Sequence, residues 1–104
     1  MLLIGALIAS IEMVFASSYE ITDQRKTELI SLLKQDCGSC HGMTLKGGLG
    51  PALTPDAIHG KSRDYLELTI MEGRNGTPMP PWNAILSSAE VAWLVDQLMT
   101  GVEP

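Results

Sequence analysis

Two thiols and an imidazole fall together in Cys37-Gly38-Ser39-Cys40-His41, and residue types at this spacing specify a reaction. In C-x-x-C-H the cysteines stand one helical turn apart, the spacing at which two thiols add to the two vinyl groups of haem. The adjacent imidazole then falls beneath the iron as proximal ligand. Gly38 and Ser39 are small, so a porphyrin edge can approach the backbone. Three other chemistries use the same residues. A dithiol redox motif belongs with a βαβ pattern, and the chain contains no strand-like alternation of useful length. A zinc site needs further ligands, and His59 is the only other histidine. A disulfide between Cys37 and Cys40 closes a loop too short to constrain the unfolded chain much. One covalently attached haem c is the expectation.

A ligand for the opposite side of the iron has to come from elsewhere, and the candidates are Met43, Met71, Met79, Met99 and His59. Met43 is too close to His41 in sequence to cross the ring plane. Met99 lies on an apolar helix face and Met71 in the last turn of a helix, where methionine usually fills core. His59, between Ile58 and Gly60, reads as a solvated loop histidine, with ligation in an altered state as the alternative. Met79 sits within Gly76-Thr77-Pro78-Met79-Pro80-Pro81, where three prolines fix φ and stiffen an extended loop. Little ordering entropy then opposes a bond from a weak thioether ligand. Sulfur ligation raises the reduction potential and leaves a closed, six-coordinate iron suited to electron transfer. His41 and Met79 are the expected axial pair. The Pro51 carbonyl, in Gly50-Pro51-Ala52-Leu53, is the candidate acceptor for the second N–H of His41, against an ordinary loop proline. Trp82 follows the ligand loop and is a candidate haem wall or propionate donor through its indole N–H, against plain packing.

Helices must hold these residues. The first is expected over about residues 22–36, with Thr22 or Asp23 as N-cap and Leu29, Ile30, Leu32 and Leu33 as its apolar stripe. The second runs from Ser62 as cap to about Glu72, with Tyr65, Leu66, Thr69 and Ile70 on one face and Gly73 at the left-handed C′ position. The third opens on a capping box between Ser87 and Glu90 and continues through Val91, Trp93, Leu94, Val95, Leu98 and Met99 to Gly101. A short turn is expected over residues 82–86. The segment Gly42–Gly60 holds five glycines and two prolines, so it buries little by itself and reads as wrapped around a bound group.

The 104 residues allow a single domain, with no internal repeat or low-complexity tract. Hydrophobic residues make up 45% of the chain, but 13 of them lie in the first 16 positions and 34 in the other 88. Past position 16 the only aromatics are Tyr19, Tyr65, Trp82 and Trp93. A core of that size leans on a metal, a disulfide or a bound group. Leu2–Ile11 has the length of a signal-peptide apolar region, and Val14-Phe15-Ala16 before Ser17 suits a signal peptidase. The alternative is an uncleaved anchor, but a span needs ~20 apolar residues and Glu12 interrupts this run. The n-region lacks Lys and Arg, so either the true start lies upstream or the amino group alone supplies the charge. The expectation is a leader over residues 1–16, cleaved near Ala16, and a domain over residues 17–104, soluble after removal of the leader. Twelve acids against seven bases give a net charge of −5. With no basic run or basic-aromatic interleaving, nucleic-acid binding is excluded.

An amphipathic helix into Cys37-Gly38-Ser39-Cys40-His41-Gly42, then Gly50-Pro51-Ala52-Leu53, then Pro78-Met79-Pro80-Pro81-Trp82, then a helix through Ala89-Glu90-Val91-Ala92-Trp93-Leu94-Val95 resembles a class I cytochrome c over the whole mature chain. The resemblance implies an all-α fold in which three main helices and Gly/Pro-rich loops surround one covalent haem. It also implies that the first and last helices cross and that one haem edge is exposed. More narrowly, Gly60-Lys61-Ser62-Arg63-Asp64-Tyr65-Leu66 with Gly76-Thr77-Pro78-Met79-Pro80-Pro81-Trp82 is similar to NirC-type cytochromes, small periplasmic proteins encoded with the haem d-containing nitrite reductase of denitrifying bacteria. This implies a periplasmic one-electron carrier, not an enzyme, that donates to that reductase or accepts electrons during haem d1 maturation. The acidic charge calls for a partner face that is basic or apolar. The rival readings are an open-site haem sensor or peroxidase-like protein, should Met79 not bind iron, and an assembly cytochrome for nitrite reductase maturation. A monomer is expected, with a dimer swapped at a Met79-loop hinge as the alternative.

Overall fold

Thr22 opens the first helix: its hydroxyl accepts from the Arg25 amide at 3.1 Å while its own backbone stays extended. The computed structural model describes residues 5, 7–10 and 20–102. The cleavage site expected near Ala16 and most of the leader lie outside those residues. Helix α1 covers Asp23–Leu32 and passes without a break into a π-helical stretch, Leu33–Cys37, and then into α2, Gly38–His41. The helical path therefore runs to the histidine and does not end near Asp36. The Gly38 amide reaches back to the Leu33 carbonyl, five residues earlier, which widens this turn. Gly38 thus continues the buried line of Leu29 and Leu33, and Cys37 turns aside to a half-buried position.

Helix α3, Pro55–Ile58, follows an extended Thr54 with proline at its first position. Only four residues long, it carries no periodicity to read, yet it inserts Ile58 into the core at 2% exposure. Helix α4, Arg63–Glu72, begins where the Ser62 hydroxyl accepts from the Tyr65 amide at 3.1 Å, and it stops at Gly73 with φ 68°. Its inner line is Leu66, Ile70 and Met71. Tyr65, expected on that face, is 45% exposed, with Lys61 Nζ 5.4 Å from its ring centroid. The expected turn after Trp82 is present, its carbonyl accepting from Ile85 and Leu86 amides at 3.0 and 2.9 Å.

Helix α5, Ser88–Thr100, starts on the expected capping box: Ser87 Oγ accepts from the Glu90 amide at 3.1 Å and Glu90 Oε1 from the Ser87 amide at 3.0 Å. Its buried line, Val91, Leu94, Val95 and Leu98, is the central wall on which α1, α3 and α4 pack. Met99, expected to fill that face, is 37% exposed. The fully enclosed core is aliphatic throughout, with Trp82 and Trp93 half-buried at its border. Among the described residues there is no strand, and no helix is long and apolar enough to cross a membrane.

The first and last helices are pinned by an ion pair between the Arg25 guanidinium and Glu90, whose side chain is buried. The Arg25 hydrogen bond, with the Ser87 amide next, holds the Glu90 carboxyl below its ordinary value of 4.5. A carboxyl with a lowered folded pKa stabilises the fold above its unfolded value, and that stabilisation is lost as pH falls through the folded value. Glu90→Gln keeps an acceptor for the Ser87 amide and removes the charge. The variant is expected to melt a few degrees below the parent at pH 7, with the gap closing in melts taken progressively below pH 4.5.

Candidate haem-binding site

The attachment segment is positioned by the widened turn. Cys37 closes the π-helical stretch, and Cys40 and His41 lie in α2. Both thiols are unbridged and half-buried. Burial, with the neighbouring Asp36 carboxylate adding to it, pushes the Cys37 thiol up to about 11. The Ser39 hydroxyl donates to the Asp36 carbonyl at 2.7 Å, so the residue between the thiols is tied to the helix and not to a ligand. Among the described residues no three His, Cys, Asp or Glu side chains gather as a metal-ion cluster.

A helix end leaves its last carbonyls without intrahelical donors. Here the glycine-rich loop supplies them, the Gly50 amide donating to the Cys40 carbonyl and the Gly47 amide to the His41 carbonyl, both at 2.8 Å. That return brings the Pro51 carbonyl to 2.7 Å from His41 Nδ1. A carbonyl can only accept, so Nδ1 carries the proton and the Nε2 lone pair is free for a metal. Gly50 makes the approach possible, because a Cβ there would lie 2.8 Å from both Nδ1 and Cε1 of the imidazole. Sequence reasoning singled out Pro51 and passed over its neighbour, since a close approach between loop and ring leaves no mark in spacing.

Met79 and Trp82 are held by a different element, the C-terminus of α4. The Met79 carbonyl accepts from the Arg74 amide at 3.2 Å, and the Trp82 amide donates to the Ile70 carbonyl at 3.1 Å. Met79 is half-buried, and Trp82 packs its side chain against the aliphatic core. The other candidates are placed otherwise. Met71 packs on the core, Met43 is 64% exposed, and His59 is exposed with its Nδ1 2.9 Å from the Asp56 carbonyl. The donor set suits haem c: two free thiols on one helical path, an imidazole with its proton on the far nitrogen, and a thioether on a loop braced by another helix.

Such a site on a helical fold is the mark of c-type cytochromes. The chain belongs to the family described as cytochrome C oxidase, cbb3-type, subunit III, whose model matches residues 24–97. It is 56% identical over 78 residues to cytochrome c55X of Pseudomonas aeruginosa, covering 75% of this chain and 66% of that protein. It is 41% identical over 75 residues to cytochrome c55X of Paracoccus denitrificans, covering 72% and 73%. The chain thus spans about two thirds of the length of these relatives. The solved structure of the c-type cytochrome NirC matches with a TM-score of 0.75 at 55% identity, over 77% of this chain and 94% of that one. Dihydro-heme d1 dehydrogenase NirN in complex with DHE matches with a TM-score of 0.62 at 32% identity, over 66% of this chain and 15% of that one. The all-α cytochrome fold, the covalent haem c and the kinship with NirC expected from sequence are shown by these likenesses.

Proposed function

We propose that this chain is a periplasmic one-electron carrier, not itself an enzyme, that accepts electrons from an oxidation step in haem d1 formation. The observation that carries the reading is the 2.7 Å hydrogen bond between His41 Nδ1 and the Pro51 carbonyl, which sets the imidazole for axial ligation by the polypeptide alone. Cys37 and Cys40 would hold haem c through thioether bonds, His41 Nε2 and Met79 Sδ would ligate its iron, and Trp82 would line the site. Haem c, when bound, supplies a one-electron iron couple. His41 on α2 and Met79 on a loop braced by α4 would fill both ligand positions of the iron and leave none to an exogenous ligand. His59, the only other histidine, lies exposed with its Nδ1 turned to the Asp56 carbonyl at 2.9 Å. The apolar leader at residues 1–16 supports export.

The direction of electron flow is supported by the similarity to NirN, named as a dihydro-heme d1 dehydrogenase, of which a segment like this chain makes up 15%. Such a module beside a dehydrogenase suits receipt of electrons one at a time. Donation to haem d-containing nitrite reductase is the second reading, favoured by the NirC likeness. Stopped-flow mixing of the oxidised holoprotein with a dihydro-haem d1 dehydrogenase and its substrate is expected to reduce it at the enzyme's turnover rate. Faster exchange between the reduced holoprotein and nitrite reductase would favour the donor direction. Exchange far below turnover with both would remove the carrier reading and leave the assembly role. Rapid carbon monoxide binding to the reduced protein would replace the closed site with an open one.

A further inference from the structure

The C-terminus of α4 is shaped as a seat for the Met79 loop. The two meet through main-chain hydrogen bonds and through the Thr77 hydroxyl, which donates to the Arg74 carbonyl at 2.7 Å and accepts from the Met79 amide at 3.3 Å. The Ile70 and Met71 carbonyls, orphaned by the helix end, accept from the Trp82 and Asn83 amides at 3.1 and 3.3 Å. The Arg74 amide donates to the Met79 carbonyl at 3.2 Å. Between these bonds lies Gly73, with φ 68° and ψ −167°, a region of backbone space essentially reserved for glycine. A Cβ on Gly73 would lie 2.7 Å from Pro80 C and Pro81 N and 2.8 Å from the Met79 carbonyl oxygen. All three are main-chain atoms, and none can rotate aside as a side chain would. Gly76, within the loop, also has a positive φ, 77°, but a Cβ there meets nothing within 4 Å. Gly76→Ala therefore tests a positive φ within the loop without displacing it, whereas Gly73→Ala adds a clash with the loop backbone.

We infer that Gly73 is a positioning residue for the sixth ligand: the bare backbone at the end of α4 fixes where the Met79 thioether stands. The three prolines stiffen the loop internally, but a stiff loop moves as a body unless something outside it sets its position. Gly73 and its flanking hydrogen bonds do so. The inference rests on the reading of Met79 as the axial ligand.

The test compares Gly73→Ala, Gly76→Ala and Met79→Ala as oxidised holoproteins, through the thioether–iron charge-transfer band, the midpoint potential and the melting temperature. Gly73→Ala is expected to lose more than half of the band and to shift its potential toward that of Met79→Ala. Gly76→Ala, strained but not displaced, is expected to keep both at parent values. Full retention of band and potential in Gly73→Ala overturns the inference, as does equal loss in Gly76→Ala. Retention of the band in Met79→Ala refutes the ligand assignment instead, so the two failures are distinguishable. Should Gly73→Ala yield no holoprotein, Asn83→Pro removes one hydrogen bond of the same seat. Its band is expected to disappear on heating well before global unfolding, and a band that survives to the unfolding midpoint overturns the inference.

Discussion

Met79→Ala is expected to abolish the thioether charge-transfer band of the oxidised protein and to open the reduced protein to carbon monoxide. The midpoint potential should fall by a substantial part of the ~0.8 V range that axial ligands span. Among the described residues no other sulfur is placed to substitute. Met43 lies on the attachment side, its Sδ 3.6 Å from where a Cβ on Gly38 would be, and Met99 is 37% exposed on α5. Met71 is in the last turn of α4 and packs on the core, so recruiting it would unpack the end of the helix that carries the loop. The fall follows from ligand softness: a soft thioether favours reduced iron, and a hard water oxygen in its place favours the oxidised form. Met79→His is the informative companion. It is expected to restore a six-coordinate spectrum and resistance to carbon monoxide, without the sulfur band and at a potential below the parent's. A parent-like band in Met79→Ala would require another sulfur to bind and would refute the assignment.

What could be read from the residues was chemistry confined to a few neighbours. The Cys37–His41 motif is local, and so are the caps at Thr22, Ser62 and Ser87, where one hydroxyl and one amide three residues on decide where a helix begins. The readings that needed correction depend on contacts across the fold. A 3.6-residue period has no place for the wide turn at Leu33–Cys37, so the first helix looked as if it ended early. The same period put Tyr65 and Met99 on inner faces that the packing of α4 on α5 does not cover. Gly73 was legible as a helix stop but not as a seat, and Gly50 was not legible, because each acts by the side chain it lacks toward a partner far along the chain. Low aromatic content corresponds to a hydrophobic core built of aliphatic side chains, with both tryptophans at its edge.

Gly50→Ala should act on the other side of the iron and in the opposite direction. The acceptor that orients His41 is a main-chain carbonyl, so no side-chain substitution deletes it, and displacement is the available route. Gly50 lies outside the left-handed region, so alanine brings no backbone strain there, and the whole effect comes from its Cβ at 2.8 Å from Nδ1 and Cε1. An imidazole anchored to iron cannot swing away, so the loop must yield, and the 2.7 Å bond to the Pro51 carbonyl lengthens. Overpacking of this kind costs about 1–3 kcal/mol. Losing the acceptor makes the imidazole a weaker donor, which stabilises oxidised iron less, and the potential rises. Partners of this kind are worth about 10–100-fold in metal affinity, and only the part that falls on oxidised more than reduced iron moves the potential, at ~59 mV per tenfold for one electron, so the rise is expected to stay below ~120 mV. Pro51→Ala separates the hydrogen bond from loop packing, because it keeps the carbonyl and removes only the ring. It is expected to stay near the parent potential. Equal shifts in Gly50→Ala and Pro51→Ala would mean that the packing of the loop, and not the carbonyl, controls His41.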